Sequence, residues 1–194
     1  MRKLTYEEIA DNRFTPEKLQ SLSRLPIYLL LDNIRSLYNV GSIFRSADGA
    51  RISKLYLTGY SPSPPRREID KTALGATLTV PWEYIKDPAE AAHIIKSQNI
   101  TLCVLEQTSA SRPYYTLTRN HFPLCLVIGN EINGVSKELI DHADYAVDIP
   151  MYGMKQSLNV AVAAGIALFD FVRTLTENKS ETADNNVERP AMGA

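Results

Sequence analysis

Four short segments carry polar side chains or glycines at the ends of apolar runs: NVGSIFR (Asn39 to Arg45), LEQTSAS (Leu105 to Ser111), IGNEINGVS (Ile128 to Ser136) and IPMYGMKQSLN (Ile149 to Asn159). Open α/β sheets bind ligands at strand ends, so the four together point to one binding or catalytic site. In the first segment Arg45 stands inside a helical stretch behind Asn39, with the single glycine Gly41 placed to make a turn. In the third, Gly129 and Gly134 let the backbone turn sharply or approach a ligand closely, and Glu131 lies between them. In the fourth, Gly153 loosens a loop that ends at Ser157, the expected N-cap of a long helix. Asn159 then falls in the first turn of that helix, where a poor helix former calls for a reason beyond capping. Each segment alone also reads as a loop with satisfied polar groups. Arg45 alone reads as a surface partner of Asp48, a pairing worth about 0.2–0.5 kcal/mol.

Several chemistries lack their residues. No GxGxxG follows the first apolar run and no GxxxxGK[ST] occurs, so dinucleotide and P-loop nucleotide chemistry have no phosphate-binding loop. The three histidines, His93, His121 and His142, are widely spaced, which argues against a histidine-based metal site or a Ser-His-Asp hydrolase. No metal is expected. The two cysteines, Cys103 and Cys125, sit in apolar runs and read as buried structural thiols. With a net charge of −1 and a pI near 6.3, any nucleic-acid contact has to come from a local patch. The stretch SPSPPRRE (Ser61 to Glu68) offers one: prolines stiffen the loop, and it presents Arg66 and Arg67, with Lys71 just beyond, as a phosphate-contacting edge. Its alternative is a solvated crossover loop.

The elements that must position these residues follow from periodicity. Apolar runs of strand length span Ile27 to Ile34, Lys54 to Tyr60, Ile100 to Glu106, Pro123 to Gly129 and Tyr145 to Ile149. Helical segments lie between or after them at Gly41 to Ala50, Pro88 to Gln98, Val135 to His142 and Ser157 to Leu175. This alternation predicts an α/β fold, a mainly parallel sheet with helices on both faces. The last helix is apolar nearly all round, with small residues four apart (Ala161 and Gly165, Ala163 and Ala167) that suit close packing and a subunit interface. At 194 residues the chain suits one main domain: a helical N-terminal arm over 1–25 with a cap at Thr15-Pro16-Glu17, a body over 26–176, and a polar tail over 177–194 expected to be mobile. The start, MRKLTYEEIADNRF, lacks the apolar core of a signal peptide, and no apolar run nears the roughly 20 residues of a membrane span. A cytoplasmic protein is expected, with no membrane partner.

In this order, DNIRSLYNVGSIFRSADG, LVIGNEINGVS and IPMYGMKQSLNVAVAAGIALF resemble the three motifs of the SpoU/TrmH class of RNA ribose methyltransferases, in the SPOUT superfamily. PPRREIDKTALGA is similar to the family's stretch after its second strand, and the similarity runs from about Pro26 to Val172. The resemblance implies a C-terminal deep trefoil knot, an exception to the rule that chains do not thread themselves. It also implies a homodimer, S-adenosyl-L-methionine as methyl donor, and methylation of a ribose 2′-hydroxyl in structured RNA. Carried over by motif, Gly129, Ile149 and Leu158 hold the cofactor, with Leu105 and Glu106 lining the same pocket. Arg45, Asn39, Glu131, Ser157 and Asn159 form the catalytic set. An arginine keeps its proton, so Arg45 is expected to orient the hydroxyl and stabilise developing oxyanion charge. It is expected to act as a base only where bound RNA alters its surroundings. Arg45, Arg66, Arg67 and Lys71 are the expected RNA contacts. The family acts on tRNA and on ribosomal RNA, and no added N-terminal RNA-binding domain precedes the motifs, which favours tRNA. The alternative is a non-catalytic knotted RNA-binding module that retains the cofactor pocket.

Overall fold

A computed structural model describes residues 1–11, 14 and 21–177. The described chain begins with a short helix α1 (Tyr6–Asp11) and then builds strand β1 (Leu25–Asp32), helix α2 (Leu37–Gly49) and strand β2 (Ile52–Thr58). Helices α3 (Arg67–Ala73) and α4 (Ala76–Thr79), strand β3 (Trp82–Ile85), helix α5 (Pro88–Ser97), strand β4 (Thr101–Leu105) and the two-residue strand β5 (Arg112–Pro113) follow. Two 3-10 turns lead to β6 (Leu124–Ile128), α6 (Lys137–His142), β7 (Tyr145–Asp148) and the long α7 (Val160–Thr176).

The strands form one parallel sheet in the order β3-β2-β1-β6-β4-β7-β5. Every residue of β6 is buried, as a strand covered on both faces requires. Side chains alternate across the sheet. Leu29, Leu31, Leu124 and Leu126 face a core shared with Ile43 and Phe44 of α2 and Phe171 of α7. Leu30, Cys125 and Val127 face the opposite core, with Ala91, Ala92 and Ile95 of α5 and Leu139 of α6. Both cysteines are buried as expected. Burial pushes the Cys103 thiol up to about 12 and the Cys125 thiol well above its ordinary value.

The mainly parallel, two-face-covered sheet and the five expected strands are present, but several local expectations need correction. Strands β3 and β5 were not expected, because the first is short, polar at Glu83 and at the sheet's edge, and the second has two residues. Helix α3 is a further element, its first two residues falling in the stretch expected to be loop and its buried residues being Ile69 and Ala73, four apart. The first motif's helix begins at Leu37, not Gly41, behind the N-cap Ser36, whose hydroxyl accepts from the Asn39 N–H at 3.3 Å. The long helix begins at Val160. Its N-cap is Asn159, not Ser157, and the Asn159 side chain accepts from Ala161 N at 2.9 Å and Val162 N at 3.4 Å. Capping therefore does explain this asparagine. The Thr15-Pro16-Glu17 cap and the tail from Asn178 to Ala194 lie outside the described residues.

Gly41 does not make a turn. It sits inside α2, where a Cβ would stand 2.1 Å from Thr72 Oγ1 and 2.3 Å from the backbone oxygen of Ile69. The absence of a side chain is what lets α3 lie directly on α2, and Thr72 Oγ1 donates to Tyr38 O at 3.0 Å across that contact. Because the obstruction includes backbone, Gly41→Ala should destabilise the protein by about 1–3 kcal/mol, measured as a lowered midpoint in urea unfolding. An unchanged midpoint would show that α3 has room to withdraw.

Candidate functional site

The carboxyl ends of β6, β4 and β7 open onto a cavity of about 510 Å³, within the roughly 300–1,000 Å³ range of small-molecule sites. Leu105, Ile128, Ile149 and Leu158 form apolar walls, and Glu106, Glu131 and Asp148 supply carboxylates. No lysine, arginine or histidine lines it among the described residues. The five residues expected to hold a cofactor (Leu105, Glu106, Gly129, Ile149 and Leu158) all line this cavity.

Two glycines shape the loop after β6. A Cβ on Gly129 would lie 2.2 Å from Gly134 C and Val135 N, and Gly134 has φ +71° with Glu106 Oε2 2.2 Å from where its Cβ would be. The loop thus folds back on itself through paired Asn130 and Gly134 backbone bonds at 2.9 and 3.0 Å. The Glu106 carboxylate closes it from below, accepting from Val135 N at 3.0 Å and Gln107 N at 2.9 Å.

Glu131 projects from this loop toward the start of α2. Its carboxylate accepts from Arg35 N at 3.0 Å, Ser36 N at 3.3 Å and the Asn39 side-chain amide at 2.9 Å. A carboxylate at a helix N-terminus is also favoured by the helix dipole. Asn39 Oδ1 in turn accepts from Asn159 Nδ2 at 3.2 Å, while Asn159 Oδ1 caps α7. Three segments far apart in sequence therefore meet in one hydrogen-bonded chain. Glu131, Ser157 and Asn159 line the cavity and Asn39 is bonded to two of them. Arg45 is not brought into this group. It is exposed on α2, six residues past Asn39 and so about 9 Å along the axis. Asp48, the partner that the alternative surface reading gives Arg45, accepts instead from the Thr79 hydroxyl at 2.5 Å. Arg66, Arg67 and Lys71 are exposed at the start and along the face of α3, outside the cavity lining.

Two polar residues were missed in the sequence. Asp32, fully buried at the end of β1, accepts from Ser136 N at 2.7 Å and Asn33 Nδ2 at 2.7 Å, tying the first motif to the start of α6. Asn130 is buried, and its Oδ1 accepts from Ile132 N and Asn133 N at 2.9 Å. The signals were there: an aspartate closing an apolar run, and an asparagine between a glycine and a glutamate. Among the described residues no cluster of three or more His, Cys, Asp or Glu side chains is placed to hold a metal ion, and no helix is long and apolar enough to cross a membrane.

A parallel sheet with a cavity at its carboxyl ends, walled by glycine-bent loops and bordered by a carboxylate-amide chain, defines an α/β protein with a small-ligand-sized site at its strand ends. More narrowly, the chain belongs to the SpoU rRNA Methylase family, whose model matches residues 26–169. RlmB of Pectobacterium atrosepticum, a 23S rRNA (guanosine-2'-O-)-methyltransferase, is 31% identical over 160 residues, covering 81% of this chain and 64% of that protein. RlmB of Escherichia coli (strain K12) matches over the same shares at 31% identity. The chain spans about two thirds, 64%, of the length of these curated relatives. Among solved structures, the A. aeolicus TrmH/SpoU tRNA modifying enzyme matches with a TM-score of 0.73 at 28% identity, covering 83% of this chain and 84% of that one. AviRb from Streptomyces viridochromogenes, solved in complex with AdoMet, matches with a TM-score of 0.73 at 26% identity, covering 84% of this chain and 65% of that one.

Partial burial pushes the Glu131 carboxyl up, but hydrogen bonds from Arg35 N, the Asn39 amide, its own backbone and Ser36 N outweigh this and hold it below its ordinary value. A folded-state value below the unfolded one means that the stabilisation is present above the unfolded value of about 4.3. It is lost as pH falls through the folded value. Glu131→Gln should therefore be less stable than the native protein at neutral pH, and the gap in thermal midpoint should close as pH falls below about 4. A gap that stays constant with pH would mean that the carboxylate's charge is not what holds the loop.

Proposed function

We propose that this chain transfers the methyl group of S-adenosyl-L-methionine to a ribose 2′-hydroxyl of a structured RNA. The observation that carries the reading is the Glu131-Asn39-Asn159 hydrogen-bonded chain standing over an acidic, apolar-walled cavity. The donor set fits this cofactor. A sulfonium and an ammonium suit Glu106, Glu131 and Asp148, an adenosine suits Leu105, Ile128, Ile149 and Leu158, and the lack of a lining cation disfavours a nucleoside polyphosphate. When bound, the cofactor supplies an electrophilic methyl group.

The chain's own task is positioning, because an in-line displacement at carbon needs an oriented oxygen and no covalent enzyme intermediate. Gly129, Ile149 and Leu158 would hold the cofactor, with Leu105 and Glu106 lining the same cavity. Glu131 and Asn159 fix Asn39 between two loops, and Ser157 sits at the cavity rim where the ribose enters. Arg45, whose side chain makes no hydrogen bond or ion pair with another described residue, is free to turn toward bound RNA. There its guanidinium orients the 2′-hydroxyl and an adjoining phosphate and stabilises the oxygen's developing charge. The curated relatives' names weigh toward ribosomal RNA, against the tRNA preference drawn from the sequence. A homodimer, implied by the family resemblance, is supported by Val162 and Phe169, exposed seven residues apart on one face of α7.

Arg45→Ala should abolish transfer of labelled methyl into RNA while calorimetry finds cofactor affinity within a few fold of native. Loss of cofactor binding in that variant would make Arg45 structural. Nucleoside mass spectrometry of RNA from a deletion strain should find one 2′-O-methyl nucleoside missing, in the ribosomal fraction. A complete set of 2′-O-methyl nucleosides would overturn the activity. Arg66→Ala with Arg67→Ala should weaken RNA binding and flatten its dependence on salt, and an unchanged slope would take that edge out of the interface.

A further inference from the structure

Tyr60 combines two properties that rarely go together. The residue is 58% exposed, yet it and its neighbour Gly59 are pinned at three points. Its N–H donates to Asn33 Oδ1 at 3.2 Å, its hydroxyl accepts from Asn130 Nδ2 at 2.8 Å, and the preceding carbonyl, Gly59 O, accepts from the Tyr84 hydroxyl at 2.5 Å. The same Asn130 amide donates to Asn33 O at 2.8 Å, so the ends of β1, β2 and β6 are stitched together beneath the ring. The next residue is locked as well, with Ser61 Oγ donating to Leu31 O at 2.9 Å and accepting from Ile34 N at 2.9 Å. An aromatic ring that has already lost its rotamer freedom offers a flat face at little further entropic cost.

The position of the ring says what that face suits. Asn130, its anchor, lines the cavity beside Glu131, so the ring stands one hydrogen bond from the rim. The chain then runs through the proline-stiffened loop to Arg66, Arg67 and Lys71, which are exposed and make no side-chain bond or ion pair with another described residue. An anchored aromatic face beside the cavity, a few residues before exposed cations in the chain, matches the way single-stranded RNA is held, with a base stacked on a ring and phosphates on basic side chains. We propose that Tyr60 is a stacking platform for a base of the RNA, next to the nucleotide that enters the cavity. The proposal rests on the RNA-methylating reading for its ligand. Its hydroxyl fixes the ring and the ring face binds.

The test compares native protein, Tyr60→Phe and Tyr60→Ala for binding a short fluorescein-labelled oligoadenylate and its abasic ribose-phosphate analogue. Thermal midpoint and S-adenosylmethionine affinity are measured alongside. Tyr60→Phe should retain most of the oligoadenylate affinity and Tyr60→Ala should lose roughly five- to a hundredfold. The abasic analogue should bind all three alike, and cofactor affinity should hold. Equal binding by Tyr60→Ala and native protein, no native preference for the oligoadenylate over its abasic analogue, or no binding at all overturns the platform. A fall in cofactor affinity matching the fall in RNA affinity would make the ring structural and overturn it too. The two readings fail separately. If native protein transfers no methyl group to any RNA while the oligoadenylate results hold, the enzyme reading goes and the stacking site stands. If transfer is intact and Tyr60→Ala binds like native, only the platform goes.

Discussion

The carboxylate of Glu131 is the interaction on which the site's geometry depends. It leaves the loop after β6 and takes up two backbone N–H groups and one side-chain amide at the start of α2. Ser36 is the N-cap of a helix whose first N–H groups have no internal partners, and Arg35 directly precedes it. One group thus holds the entry of α2, fixes the rotamer of Asn39 and, through Asn39, reaches the cap of α7. Without it, three loops that share no covalent connection nearby would lose their common reference.

The loop that carries Glu131 is itself held by exclusion. Its two limbs approach so closely at Gly129 and Gly134 that neither position has room for a Cβ, and the Glu106 carboxylate occupies the space where one would go. Below it, the buried side chains of Asp32 and Asn130 are themselves satisfied, accepting from the backbone N–H groups of Ser136, Ile132 and Asn133. Such groups cost most when one partner is removed. The loop after β6 is therefore held in place before any ligand arrives.

Charge is divided between two regions. The cavity is acidic and apolar, while four exposed cations, Arg45, Arg66, Arg67 and Lys71, lie outside its lining. A chain with a net charge of −1 has no general attraction for RNA, so this local separation matters. Under the proposed reaction the acidic cavity takes the cationic cofactor and the outer edge takes phosphates. Tyr60, anchored to Asn130 of the cavity lining, takes a base.

The amino-acid pattern determined the parallel α/β class, because fully buried strands read as unbroken apolar runs and β1, β6 and β4 are such runs. The motif residues of the cavity were legible too, since glycines, a carboxylate and asparagines at strand ends have few other uses. Short edge elements were not legible: β3, β5 and α3 are held by neighbours rather than by their own periodicity. Local reasoning also misassigned Gly41 and Asn159. Whether a glycine turns a chain or admits a neighbouring helix depends on what packs against it, here Ile69 and Thr72 from a distant segment. Tertiary structure alone decided that Glu131, Asn39 and Asn159 share one hydrogen-bonded chain and that Arg45 stands outside it. Hydrogen bonds between residues 92 and 120 positions apart are set by the order of strands in the sheet, which no local pattern encodes.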